Sequence, residues 1–143
     1  KTMEVCTDTP INLAVSTLER AEKYLDTFKT QLNRFSSTLQ TGGQEEDFDT
    51  FIAGLKGWEN VVQLLDIVRD MLKLDYRSMK VQGFSPDKLN DEVQKTLNQI
   101  KTALQNNDIV YLRDVIQYEM VPNVDKMKGV VAAVAQVAKK QAG

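Results

Sequence analysis

The chain has no histidine among its 143 residues, and it has a single cysteine and three prolines. Without histidine it lacks the commonest general base and the commonest transition-metal ligand. The lone Cys6 makes no internal disulfide, which fits a reducing, cytoplasmic setting. An excess of charge is missing too. The net charge is −2, and no stripe of lysine and arginine runs along any segment, so no nucleic-acid partner is expected. Lys139 and Lys140 suit the negative end of a helix dipole instead. No run of about 18 apolar residues exists, so no membrane partner is expected. Lys1 to Pro10 carry no apolar core of a secretory signal, and a chain that begins at Lys1 leaves a longer parent open. Glycine-rich phosphate loops, Ser/His/Asp sets and Cys/His sets are all absent. Two-metal helical bundles need Glu-x-x-His pairs and are excluded in that form. These absences point away from an enzyme, with no cofactor and no metal.

What is present is a ladder. Ile11, Ala14, Leu18, Ala21, Leu25, Phe28, Leu32, Phe35 and Leu39 are separated by steps that alternate 3 and 4 without a break. A helix with that spacing shows one narrow apolar stripe, which it must bury against other helices. Thr9 is placed to cap this helix, with Pro10 at its first turn and Gly42–Gly43 as its stop near Gln40. The acidic run from Glu45 to Asp49 reads as a loop and a first helical turn at the positive end of a dipole. It lacks the alternating ligands and central glycine of a calcium loop.

The second ladder runs Phe48, Phe51, Leu55, Trp58, Val62, Leu65, Arg69, Leu72 and Tyr76, with the same alternating steps. Gly54 and Gly57 lie inside it, each weakening the helix by about 1 kcal/mol relative to alanine. Their spacing marks a close helix approach. From Tyr76 to Ser85 the pattern breaks. The third helix opens with Ser85 as cap, Pro86 at the first turn and Phe84 poised over Leu89 as a hydrophobic staple. Its face is Leu89, Val93, Leu97, Ile100 and Leu104, and Asn106–Asn107–Asp108 ends it and caps the next. The fourth starts near Ile109. It buries Leu112, Val115, Ile116 and Met120, then Val124, Met127, Val131, Val134 and Ala138. Pro122 removes a donor to the carbonyl of Tyr118 and should kink it. One all-α domain over residues 1–143, an antiparallel up-down-up-down four-helix bundle with a disordered leader at residues 1–8, is the simplest assembly.

Three features stand apart from the ladders. Arg69 sits at a seam position. Either it is a buried, paired charge in a polar core, or Val68 takes the seam and Arg69 reaches water. Tyr118 and Glu119 precede the proline break, and with Arg69 they form a candidate polar core and inter-helix pocket. The third feature is the run from Val130 to Ala138, which is apolar around more than one face. It makes Val130, Ala133 and Val137 candidates for an interface with a protein partner or a second copy in a homodimer, unless the internal core is wide there.

The stretch from Asp108 to Pro122, read with Leu74–Asp75–Tyr76 and Gly83, resembles a small uncharacterised helical family of Gram-positive bacteria. The shared pattern is Asp-x-Val-x-Leu-x-Asp-x-x-x-Tyr-Glu-x-x-Pro, with Arg113 where a small residue is more usual. The resemblance covers about the second half of the chain and implies a cytoplasmic bacterial protein, with no activity attached. Size and helix content also resemble those of flagellar export chaperones, a likeness at the level of fold alone. The function expected is therefore a non-enzymatic helical bundle acting by protein–protein interaction. The alternative is a small-molecule sensor or enzyme with a pocket near Arg69 and Glu119.

Overall fold

The computed structural model describes residues 10–41 and 45–142. The leader at residues 1–8, the Thr9 cap and the Gly42–Gly43 stop lie outside the described residues. Three plain helices come first: α1 (Pro10–Leu39), α2 (Glu45–Leu72) and α3 (Pro86–Gln105). The last helix, α4, is continuous but built in three pieces. An α-helical Ile109–Val115 is followed by a π-helical Ile116–Met120 and an α-helical Val121–Ala142. Among the described residues there is no strand, only a bridge between Val81 and Phe84 in the α2–α3 connection.

The first ladder is the core. From Ala14 to Leu39 every rung is buried, and Ile11 is partly buried against the same cluster. Surface ion pairs report how the helices run. Glu19 meets Lys139, Asp26 meets Lys128 and Lys29 meets Asp125, so α1 and α4 are antiparallel. Glu92 meets Lys126, while the Asn123 amide donates to the Thr96 hydroxyl at 3.0 Å, so α3 and α4 are antiparallel as well. The ion pairs are well exposed and contribute little stability. The Asn123–Thr96 bond is different, because both residues are buried. The Thr96 hydroxyl passes its own hydrogen to the Glu92 carbonyl at 3.0 Å, so the bonding is internally complete.

Gly54 and Gly57 do mark a close approach. The Tyr24 hydroxyl donates to the Gly54 carbonyl at 2.6 Å. A Cβ at Gly54 would stand 2.5 Å from the Phe28 ring, and one at Gly57 would collide with the Tyr24 phenol. Bare α-carbons let the stacked Tyr24–Phe28 pair, 5.8 Å between centroids, lie directly on α2. Beneath it Trp58 is fully buried, and its indole N–H donates to the Met127 thioether at 3.1 Å.

The second helix ends at Leu72, four residues short of the last rung of its ladder. Lys73 adopts a left-handed conformation (φ 56°), and the Leu74 N–H donates back to the Arg69 carbonyl at 2.9 Å. That is a Schellman stop with lysine where glycine is usual. Tyr76 is buried all the same. Its chain folds back, and its hydroxyl donates to the Leu65 carbonyl at 2.7 Å. The caps of the later helices follow the sequence. The Ser85 side chain accepts from the Lys88 N–H and that of Asp108 from the Tyr111 N–H. Asn107, at φ 53°, closes α3 with the same stop, the Asp108 N–H returning to the Ala103 carbonyl.

The π-turn has a cause legible in the apolar spacing. Counting back from Ala138 through Val134, Val131, Met127, Val124 and Met120, the steps alternate 4 and 3. The next rung should be Gln117, yet Gln117 is exposed and Ile116 is buried in its place. The seam is out of phase by one residue, and a single π-turn absorbs one extra residue. Within it the Val121 N–H donates to the Ile116 carbonyl. Pro122 has no N–H to give either to the Tyr118 carbonyl, as in an α-helix, or to the Gln117 carbonyl, as in a π-turn. Deleting Gln117 together with Pro122→Ala should restore an unbroken heptad. That variant is expected to melt no lower than the parent, whereas deleting Asn98 from α3, which has no such turn, should abolish cooperative melting. Equal collapse of both in a calorimetric scan would refute this account of the turn.

Candidate functional site

The three residues expected to form a polar core do not meet. Val68 is fully buried and takes the seam, which turns Arg69 outward with a side chain 38% exposed. Arg69 lies between Asp66, at 3.4 Å, and Asp70, at 3.3 Å, over the ring of Tyr76. The Asp70 hydrogen bond raises its pKa and the charge of Asp66 adds to that. Burial pushes the Tyr76 phenol well above its ordinary value. Tyr118 and Glu119 are both exposed on α4 and belong to no core. The physical reason is the phase shift at the π-turn, which gives the inward positions to Ile116 and Met120.

A cleft does exist at Arg69. Its floor includes Val62, Leu65, Met127 and Val130, and its rim holds Asp66, Tyr76, Asp87 and Asn90. Its free volume is about 20 Å³, room for about one water molecule, while a more open depression of about 340 Å³, lined also by Leu74, Asp75 and Arg77, shares Arg69, Tyr76 and Asp87 with it. A drug-sized ligand needs several hundred cubic ångströms, which the open depression has and the cleft lacks, and Glu119 lines neither.

The apolar strip near the C-terminus is corrected too. Val130 is 1% exposed and faces inward; Ala133 and Val137 are half-buried. The reason is that α4 has three neighbours. It packs on α1 and α3 along its length, and Met127 reaches Trp58 of α2. A helix so surrounded uses more than one apolar face internally.

Large apolar side chains are exposed at Leu13 on α1, at Ile52, Ile67 and Met71 on α2, and at the other end of α4. Val110 is 64% and Tyr118 72% exposed, with Tyr111 beside them. Val110, Asp114 and Tyr118 follow at four-residue intervals. In a plain α-helix that spacing drifts around the axis, since a turn takes 3.6 residues. The wider π-turn offsets the drift, so the three share one side. Around them Gln117, Glu119 and Pro122 are exposed as well. The surface offers two aromatic rings and the carboxylates of Asp114 and Glu119. Among the described residues no group of three potential ligands is placed to hold a metal ion. No helix among them is long and apolar enough to cross a membrane.

The profile of one protein family, described as Domain of unknown function (DUF8042), matches residues 16–130, about four-fifths of the chain. The chain belongs to this family. The DUF8042 span contains the Arg69 cleft, the Asn123–Thr96 bond and the whole π-turn, while Ala133 and Val137 fall beyond it. No curated protein and no solved structure matches the chain significantly. Sequence reasoning missed Thr96 and Asn123 as a buried polar pair. Their one signal is position, since each lies on the apolar face of its helix next to a seam residue, Leu97 and Val124 respectively.

Proposed function

We propose that this chain is a non-enzymatic, up-down-up-down helical bundle that binds a protein partner through the outer side of α4 at the π-turn. The antiparallel pairing of α1 with α4 and of α3 with α4 supports the topology, and the π-turn ahead of Pro122 supports a bend of the helix axis there. The observation that carries the function is the exposure of Val110 and Tyr118 on one side of a well-packed helix. Large apolar surface left open beside a filled core is the usual mark of an interaction site, and tyrosine is enriched at the centre of such sites. The dispersal of Arg69, Tyr118 and Glu119, together with the lack of histidine, favours binding over catalysis.

A different protein is preferred to a second copy as the partner, because the strip that argued for a homodimer is taken up by the core at Val130. An origin in the cytoplasm of a Gram-positive bacterium is part of the same proposal. It rests on the signature from Asp108 to Pro122 and on the single Cys6.

The test is site-specific photo-cross-linking in cells that make the protein naturally. A benzoylphenylalanine in place of Tyr118 is expected to give a discrete adduct with another protein. The same group in place of Lys95, exposed on α3, should give none. Absence of the adduct at position 118, or the same adduct at both positions, would overturn the docking site.

A further inference from the structure

We infer that the segment docking on the π-turn of α4 is a basic one, in which lysine or arginine alternates with apolar residues. The inference rests on the docking reading above and adds the chemistry of the occupant. The charged groups of this surface are mostly anionic. Three carboxylates, Asp108, Asp114 and Glu119, stand on this segment against one cation, Arg113. Asp108 spends one carboxylate oxygen on the Tyr111 N–H, but its charge remains. Asp114 and Glu119 have no ion-pair or hydrogen-bond partner among the described residues, in contrast to Asp26, Asp66 and Asp125, which do.

The backbone adds to the same sign. The Val121 N–H is committed to Ile116, and Pro122 has none, so neither donates to the Gln117 carbonyl, which keeps its partial negative charge. Beside it the Tyr118 ring is open for contact with a cation, which aromatic rings attract through their quadrupole. An ammonium or guanidinium over Tyr118 would find Asp114 one turn before it and Glu119 next to it. Apolar residues flanking that cation would cover Val110 and the Tyr111 ring. An acidic segment would meet like charge at Asp114 and Glu119, with Arg113 as the cation of the segment.

The exposed apolar pair on α2 argues a contrast. Ile67 and Met71 lie one turn apart on α2, but the carboxylates beside them are engaged, with Asp66 and Asp70 both held by Arg69. Neither of these two carboxylates is left unpaired for a partner's cation.

The experiment uses the full chain, labelled with nitrogen-15, and two short amphipathic peptides, one of leucine and lysine and one of leucine and glutamate. The lysine peptide is expected to shift the amide signals of Val110 to Val121 saturably, with an affinity that falls as salt is added. The glutamate peptide should leave them in place. Tyr118→Ala and Glu119→Gln alter exposed side chains and keep the fold, which the remaining amide signals report. Each should weaken the lysine peptide by about tenfold, the size expected for losing one anchor of a small interface. Shifts of equal size with both peptides would overturn the basic occupant while leaving an apolar docking site in place. Shifts confined to Ile67 and Met71, or none at all, would overturn the inference, and the cross-link at position 118 then decides the docking reading by itself.

Discussion

Trp58→Ala is expected to destabilise the protein by about 3–5 kcal/mol, the range for removing a large aromatic side chain from a packed interior. The indole is fully buried where three helices meet. Its ring stands 6.0 Å from that of Phe28 on α1, and its N–H bonds to Met127 on α4 at 3.1 Å. One side chain thus joins α1, α2 and α4, so the cavity left behind would be shared among elements that cannot close in on it independently. Trp58→Phe separates the two contributions. It keeps most of the ring volume and leaves the thioether without a donor, so its cost should be well below that of alanine. Urea unfolding followed by circular dichroism checks both, and an alanine variant within about 1 kcal/mol of the parent would show that the site collapses freely.

Leu25→Ala is expected to cost about 2–5 kcal/mol. Leu25 is the middle rung of the first ladder and is fully buried, one turn from both Ala21 and Phe28. The small Ala21 on one side and the stacked Phe28 on the other leave little freedom to fill the space, which places the effect towards the upper part of that range. Thermal melting of the variant, with helix content checked in parallel, is the measurement. A change near zero would mean that the stripe is not the seam it is taken to be.

Some of the site was readable and some was not. Gly54 and Gly57 announced a close approach because glycine inside a helix costs stability and needs a reason. The structure supplies it in the Tyr24 and Phe28 rings. The end of α2 was not readable, because its stop uses Lys73 in a conformation that glycine normally marks. Tyr76 then fell on the ladder by coincidence of spacing, although it is buried by a chain that turns back. The spacing around Arg69 permits two arrangements, and the difference between them is a rotation of one residue about the helix axis. Only the packing of Val68 decides it. The phase slip between Ile116 and Met120 was present in the spacing, but it becomes a π-turn only when both halves of α4 must face the same core.

The sequence by itself determined the class of the protein, its helices and most of its core. Heptad spacing, capping residues and the placing of proline and glycine act over a few residues each, so they can be read along the chain. The tertiary structure decided which of the remaining candidates is surface. Val130 is core because α4 has three neighbours, a number no single helix encodes. Tyr118 and Glu119 are surface because the core accepts Ile116 and Met120, and a helix that must satisfy that demand on both sides of an extra residue widens by a turn. Exposure is a property of what stands opposite a side chain, and that is fixed only when distant segments meet.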